Sequence, residues 1–171
     1  RASSRYNTYM DDLIMLSEIE PFATRDYAGS RTMFRRAADE AGLELETIPH
    51  PLPGPSGDEL STDAVRIGPV DADNLLVLIS GMHGVELYCG SMCQSALIEG
   101  QHFAELPPKL AVLLVHAINP WGSAHGRRVN EHNVDPCRNF IDFSRSFPEN
   151  TNYARLHPHL ADANRDDLVG D

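Results

Sequence analysis

The sequence predicts an α/β fold with a mixed sheet that is parallel at its centre and flanked by helices. Residues 75–79 form an unbroken run of branched apolar side chains, typical of a strand buried on both faces of a parallel sheet. From Glu86 the small and apolar residues change to helical spacing, and a second apolar run follows at 110–118. Strand, helix and strand in this order predict a right-handed crossover, with two parallel strands whose carboxyl ends share one edge.

The segments outside this crossover are predicted from periodicity and from turn residues. Gly42 stands where a helix C-cap is expected, and the proline- and glycine-rich segment 51–57 is typical of a rigid loop. The predicted elements are helices at 6–19, 26–41 and 152–160, strands at 43–48 and 63–67, and a polar loop at 119–140.

The helix that follows the first apolar run has a narrow face of small residues. This face is expected to pack on the sheet, which would bury the thiols of Cys89 and Cys93. Its members are Glu86, Cys89, Gly90, Cys93, Ala96 and Leu97.

Length and charge limit the classes of partner. The 171 residues suffice for a single domain over 1–171, and 14 basic against 25 acidic residues give a net charge of −11. This charge argues against nucleic acid or an anionic membrane as a partner. No apolar run approaches the roughly 18 residues of a membrane span. The chain starts at Arg1, which indicates a processed or trimmed start.

Three cysteines are an odd number, which does not indicate a disulfide framework. The cytoplasm or another reducing compartment is therefore expected.

His83 and Glu86 lie in the predicted turn between the buried strand and its helix. Open α/β sheets place ligand sites at this edge. An imidazole and a carboxylate three residues apart can converge on one cation, and Gly84 between them allows the backbone to fold closely. Taken alone, the same pair also fits a helix cap or a surface pair.

The loop at 119–140 is expected at the same edge as His83 and Glu86. It holds three arginines, four asparagines, two histidines, a glutamate and an aspartate. By itself such a loop is typical of a solvated surface. Beside a metal site, however, an arginine could bind a substrate carboxylate through two hydrogen bonds.

These motifs resemble the zinc carboxypeptidase superfamily that includes succinylglutamate desuccinylase and aspartoacylase. The similar stretches are His83-Gly-Val-Glu86 and Asn133-Val-Asp-Pro-Cys-Arg-Asn-Phe140, and they are most similar to a bacterial branch with the motif Ser-Gly-x-His-Gly-Val-Glu. The likeness runs from about Tyr6 to the end of the chain. It implies the N-terminal part of a three-layer α/β/α domain, apparently truncated.

The resemblance implies a single zinc ion and a hydrolase that cleaves an amide bond next to a carboxylate, in a peptide or an N-acyl amino acid. Zinc would activate a water molecule, and a glutamate would shuttle protons. The implied residues are His83 and Glu86 as zinc ligands, Arg128, or less readily Arg127, at the scissile carbonyl, Arg138 with Cys137 and Asn139 at the substrate carboxylate, and Asp135 on the other ring nitrogen of His83.

Two departures from the family pattern keep other functions open. Cys137 replaces an asparagine, and a thiol lacks the donor and acceptor of an amide, while Pro136 removes a backbone donor. The family's third ligand and its general base come from sequence beyond Asp171. The alternative is a non-catalytic descendant, an accessory subunit whose open sheet edge is covered by a protein partner. A third possibility is a fragment of a longer enzyme.

Other histidines and a cysteine could take part in the site. His116, at the end of the neighbouring strand, and His125 and His132, on the polar loop, are candidates for the missing ligand. Cys137 beside Arg138 could act as a thiolate. The sequence around Ser123 does not match a nucleophile elbow.

Overall fold

The computed structural model describes residues 19–147 and 149–161. These residues fall into two units, one that ends at Asn139 and one that begins at Phe140. The predicted helix at 6–19 lies outside the described residues except for Ile19. No helix of the described ranges is long and apolar enough to cross a membrane.

The first unit is a four-stranded mixed sheet with helices. The strands run in the order β1-β2-β4-β3, in which β1, β2 and β4 are antiparallel neighbours and β3 pairs parallel with β4. The mixed α/β fold class is therefore confirmed. The elements are β1 Leu45–Pro49, β2 Ser61–Ile67, β3 Asn74–Ile79, β4 Leu110–His116, α1 Tyr27–Glu40, α2 Leu87–Glu99 and α3 Pro120–Ala124, with 3-10 turns at Glu20–Phe22 and Gly84–Glu86.

Helix α1 begins and ends where its capping residues predict. The Asp26 side chain accepts a hydrogen bond from the Gly29 amide at the N-terminus. At the C-terminus Gly42 has φ +66°, and the amides of Gly42 and Leu43 return to the carbonyls of Asp39 and Ala38. This Schellman arrangement satisfies the last carbonyls of the helix, and it turns the chain toward β1.

Both long helices pack on one face of the sheet. Phe34 of α1, Ile98 of α2 and Leu114 of β4 belong to one buried cluster. Burying a side chain of this size contributes about 1.5 to 3 kcal/mol. The remaining buried members are Ala37, Ala38, Val65 and Val112. The described part of the first unit therefore has one layer of helices and one layer of strands.

Strand β3 was expected to be buried on both faces, and this expectation is wrong for the described residues. It is the edge strand of the sheet, and Leu75, Leu76, Val77 and Ile79 are 51, 45, 43 and 45% exposed. Only Leu76 and Leu78 share the helix-bearing face with Val112 and Leu114 of β4. The parallel pair of β3 and β4 thus lies at one edge of the described sheet. An apolar run indicates that a strand can be covered, but it does not indicate which element covers it.

The packed face of α2 agrees with the expected one only in part, because Ala96 is buried as expected but other members are not. Cys89 is exposed and Cys93 half-buried, whereas Ser91 and Gln94 are buried. Two of the buried polar groups have partners. The Ser91 hydroxyl donates to Ser30 O at 3.3 Å, and Gln94 Nε2 donates to Leu78 O at 2.9 Å. Gln94 Oε1 and Ser95 Oγ, in contrast, are buried without a hydrogen-bond partner among the described residues. The stripe of small residues therefore predicted only part of the packed face.

His116 is fully buried on β4. Its ring stacks on Phe34, and its Nε2 lies 3.0 Å from Ser91 Oγ. The pKa of His116 is lowered from 6.5 to about 4, mainly by burial. The charge of Asp63 raises this pKa, and the charge of Arg31 lowers it. The ring is therefore neutral in the folded protein at neutral pH.

We expect this histidine to weaken the fold in mild acid. Between about pH 6.5 and 4 the unfolded chain takes up a proton that the folded chain excludes. The free energy of unfolding should therefore fall with pH, by about 3 kcal/mol in total. Urea denaturation from pH 7 to 4.5 should show a flatter dependence in His116→Gln than in the wild type. The exposed His102→Gln should keep the wild-type slope, and equal slopes in His116→Gln and wild type would contradict the prediction.

The described residues of the second unit include helix α4, Thr151–Ala161. Asn150 caps it, since its Oδ1 accepts from the Tyr153 amide at 2.9 Å and its carbonyl accepts from Ala154. The helix predicted at 152–160 is confirmed. Large apolar side chains of this unit, including Phe140, Phe143 and Tyr153, are exposed.

Candidate functional site

The turn after β3 carries His83 and Glu86 and is closely packed against the loop at 119–140. A Cβ atom on Gly84 would lie 2.0 Å from the carbonyl carbon of Gly122 and 2.3 Å from the amide nitrogen of Ser123. The Gly84 amide donates to Arg128 O at 3.4 Å. Only glycine permits this approach, so Gly84 fixes the position of the turn against the loop.

The loop is ordered by local hydrogen bonds. Asn119 caps α3 by accepting from the Gly122 amide at 2.9 Å, and Pro120 occupies the first position of the helix. Further on, Asn130 Oδ1 accepts from the amides of His132 and Val134. These two turns bring residues 128–138 back to the carboxyl edge of β3 and β4.

His83 faces a different carboxylate with each ring nitrogen. Its Nδ1 lies 3.0 Å from Glu86 Oε2, and its Nε2 lies 3.1 Å from Asp135 Oδ1. The imidazole is only 13% exposed, while Glu86 remains open to solvent. The sequence elements expected at one edge do meet there, and the ring is held in a defined orientation.

Arg128 completes this group, which we call the site cluster: His83, Glu86, Arg128 and Asp135. Its guanidinium lies 3.2 Å from Asp135 Oδ2 through Nε, and 3.4 Å from Glu86 Oε1 through NH1. The third nitrogen, NH2, is 2.9 Å from His83 Nε2. One guanidinium therefore contacts two carboxylates.

Asp135 organises the end of the loop as well as the ring of His83. Its Oδ1 accepts from the backbone amides of Cys137 at 3.0 Å and Arg138 at 3.2 Å. Partial desolvation raises the pKa of Asp135, but hydrogen bonds from the Arg138 amide, His83 and Arg128 outweigh it and lower that pKa. Asp135 is thus held as a carboxylate.

The other predicted residues lie around the site cluster. Arg138 approaches Asp135 Oδ2 only to 3.7 Å, and its side chain is 79% exposed. The side chains of Cys137 and Asn139 are exposed too. Arg127, the less favoured neighbour of Arg128, donates to Asn133 Oδ1 at 3.4 Å instead.

None of the three spare histidines contacts the site cluster within the described ranges. His116 is buried against Phe34, and His125 stacks on Trp121 with ring centroids 4.2 Å apart. His132 is 77% exposed and lies beside Glu131. In the described residues no three His, Cys, Asp or Glu side chains are placed to hold one metal ion. Asp135 does not join His83 and Glu86 in such a group, because it lies at Nε2 of His83 while Glu86 lies at Nδ1.

Two features of the site escaped the sequence reasoning. Gly122 is also closely packed, since a Cβ atom there would lie 2.6 Å from Val129 O, and its position after a capping Asn119 and Pro120 could have signalled a tight turn. Ala117, at the end of β4, has φ +57° and is fully buried. An alanine in the left-handed region carries no sequence signal, since the surrounding fold imposes the strain.

Comparison with solved structures gives partial overlaps. The glutaminyl cyclase of Macrostomum lignano shares 12% identity over 68% of this chain and 41% of that chain, with a TM-score of 0.46. The glutaminyl cyclase of Fimbriiglobus ruber shares 10% identity over 58% and 41%, with a TM-score of 0.41. The cytosol aminopeptidase of Coxiella burnetii shares 13% identity over 58% and 28%, with a TM-score of 0.33. The chain spans less than half of the length of each.

No curated protein sequence matches this chain. A family match does exist, and it covers most of the sequence. Residues 22–169 match the family described as protein of unknown function (DUF2817), and the chain therefore belongs to that family.

Proposed function

We propose that this chain carries part of a zinc-dependent hydrolase site for an amide bond that lies next to a carboxylate. The resemblance to the zinc carboxypeptidase superfamily suggests this activity. The observation that supports it most directly is the setting of His83, with Glu86 on Nδ1 and Asp135 on Nε2. A metal-binding histidine commonly has its second nitrogen held by a carboxylate in this way.

The donor set fits two of the protein ligands of a catalytic zinc ion. His83, through Nδ1, and Glu86 would hold the ion, and Asp135 would set the ring. Catalytic zinc sites use three protein ligands, so one more would come from residues outside the site cluster. A bound zinc ion would supply an activated water and polarise the carbonyl of the substrate.

The arginines account for the substrate part of the proposal. The Arg128 side chain is 46% exposed, so its guanidinium can donate hydrogen bonds to a carbonyl oxygen as negative charge develops there. Arg138 is more exposed, and its Nε lies 3.7 Å from Asp135 Oδ2. It can therefore offer two parallel hydrogen bonds to a substrate carboxylate, beside the exposed Cys137 and Asn139.

A second candidate is an accessory subunit whose protein partner covers the β3 edge. The exposure of Leu75, Val77 and Ile79 on the helix-free face supports it. An uncovered apolar edge strand is a site for pairing with another strand. The same surface would also receive a further part of a longer hydrolase, so zinc content is what separates the two candidates.

We expect about one zinc ion per chain in the purified wild type and a near-complete loss in His83→Ala, since His83 supplies a metal ligand. Elemental analysis after dialysis measures this content. His132→Ala, which removes a 77% exposed imidazole, should keep the wild-type value. Zinc retained by His83→Ala would contradict the proposed site. A wild type without zinc would favour the accessory subunit.

A further inference from the structure

Helix α2 carries a group of sulfur side chains outside its packed face. Cys93 lies four residues after Cys89, and Met92 lies three residues after it. Side chains at these spacings are neighbours on a helix, with Cβ atoms about 5 to 6 Å apart. Cys89 is exposed, and Cys93 and Met92 are half-buried. Cys89, Met92 and Cys93 therefore form one partly exposed group, which we call the sulfur group.

The two thiols of the sulfur group contact each other. The pKa of Cys93 is raised, mainly by burial, and the charge of Cys89 and a hydrogen bond between the two side chains raise it further. Both cysteines are free. A disulfide would require Cβ atoms about 3.5 to 4.5 Å apart, which is closer than helical spacing allows. The pair therefore does not close into a disulfide as long as α2 remains helical.

The packing of α2 holds the sulfur group in place. Gln94 Nε2 donates to Leu78 O at 2.9 Å and to Val115 O at 3.2 Å. On the same face of the helix, a Cβ atom on Gly90 would lie 2.8 Å from Ser80 Cβ. These contacts fix the rotation of α2 about its axis, so the direction of the sulfur group is set before a ligand binds. Such preorganisation lowers the entropic cost of binding.

The chemistry of sulfur selects the class of ligand. Thiolate and thioether groups bind soft cations, and Cu(I) is a soft cation that accepts linear or trigonal coordination. Zinc prefers a tetrahedral site with more protein ligands. Within the described ranges, however, no group of three His, Cys, Asp or Glu side chains includes the two cysteines.

We propose that Cys89 and Cys93 bind a Cu(I) ion as thiolates, with the thioether of Met92 as the third ligand. Binding forms a Cu–S bond to each cysteine and releases both thiol protons, and the copper stays in the Cu(I) state throughout. This site shares no residue with the site cluster. It therefore stands independently of the proposed function.

Anaerobic titration of the full chain with Cu(I), in competition with a chromophoric chelator, tests the site. The wild type should bind about one Cu(I) ion per chain, because the sulfur group offers a single set of soft ligands. Cys89→Ser and Cys93→Ser should lose nearly all of this binding, and Met92→Leu should bind more weakly than the wild type. Binding retained by Cys89→Ser, or wild-type affinity in Met92→Leu, would overturn the site.

Cys137→Ser and His83→Ala are the matched controls. The first removes an exposed thiol of the polar loop, and the second removes the imidazole of the site cluster. Both variants should bind Cu(I) as the wild type does, and a loss in either would overturn the assignment to α2. Because His83→Ala is expected to lose zinc and to keep Cu(I), failure of one proposal is distinguishable from failure of the other.

A second measurement needs no variant. Phenylarsine oxide condenses with a pair of neighbouring thiols, which forms an As–S bond to each and releases water. In the wild type it should block Cys89 and Cys93 and leave Cys137 free to react with iodoacetamide, as mass spectrometry of proteolytic peptides would show. Reaction of Cys89 and Cys93 with iodoacetamide after this treatment would overturn the site, even if the serine variants failed to fold.

Discussion

Replacing Gly84 by alanine is expected to lower the free energy of unfolding by about 3 kcal/mol or more. The added Cβ would lie 2.0 Å from the Gly122 carbonyl carbon and 2.3 Å from the Ser123 amide nitrogen. Both are backbone atoms of a helix that Asn119 caps, so no side-chain rotation relieves the clash. The turn that carries His83 should move away from the loop, and zinc content should fall with it. Urea denaturation and elemental analysis measure the two effects.

Gly126→Ala is the matched control for this variant. Gly126 has φ +61°, and a methyl group added to it would have no neighbour within 4 Å, so alanine there meets a conformational cost but no clash. That cost is about 1 to 2 kcal/mol. A Gly84→Ala protein as stable as Gly126→Ala would show that the turn and the loop are not locked together.

Asp63→Asn is expected to lower the free energy of unfolding by about 2 to 3 kcal/mol, because it leaves two arginines without their buried counter-charge. Asp63 is fully buried. Its carboxylate accepts from Arg31 Nε at 2.7 Å, from Arg35 NH1 at 3.0 Å and from Thr47 Oγ1 at 2.6 Å. These bonds tie α1 to β1 and β2. Urea denaturation at pH 7 measures the loss, and Glu46→Gln, on the solvent side of β1, should stay near wild type.

Asp63 also makes the free energy of unfolding sensitive to acid. Burial raises the pKa of Asp63, but hydrogen bonds from Arg31 and Thr47 and the charges of both arginines outweigh this and lower it from 3.8. The folded chain therefore binds this proton at lower pH than the unfolded chain does. The stabilisation is complete above about pH 4 and is lost as pH falls further. In Asp63→Asn the free energy of unfolding should no longer show this loss below pH 4. The same dependence on pH in this variant and in the wild type would contradict the role of Asp63.

Much of the site's location followed from local sequence. An apolar run ends just before His83, helical spacing starts at Glu86, and the next apolar run ends just before Asn119. Side-chain periodicity identifies the element type, and a parallel crossover places both strand ends at one edge. These local patterns predicted that His83 and the loop at 119–140 would meet. The contacts of His83 with Asp135 and Arg128 confirm this prediction.

Tertiary structure alone decided which surfaces were covered and which groups were paired. Periodicity could not tell that β3 lies at the edge of the described sheet, or that Ser91 and Gln94, and not Cys89, face its core. It also could not place Arg128 on the very nitrogen of His83 that Asp135 faces. The physical reason is that local pattern records the alternation of side chains along one element. Burial and hydrogen bonding depend instead on neighbours that the chain brings in from a distance.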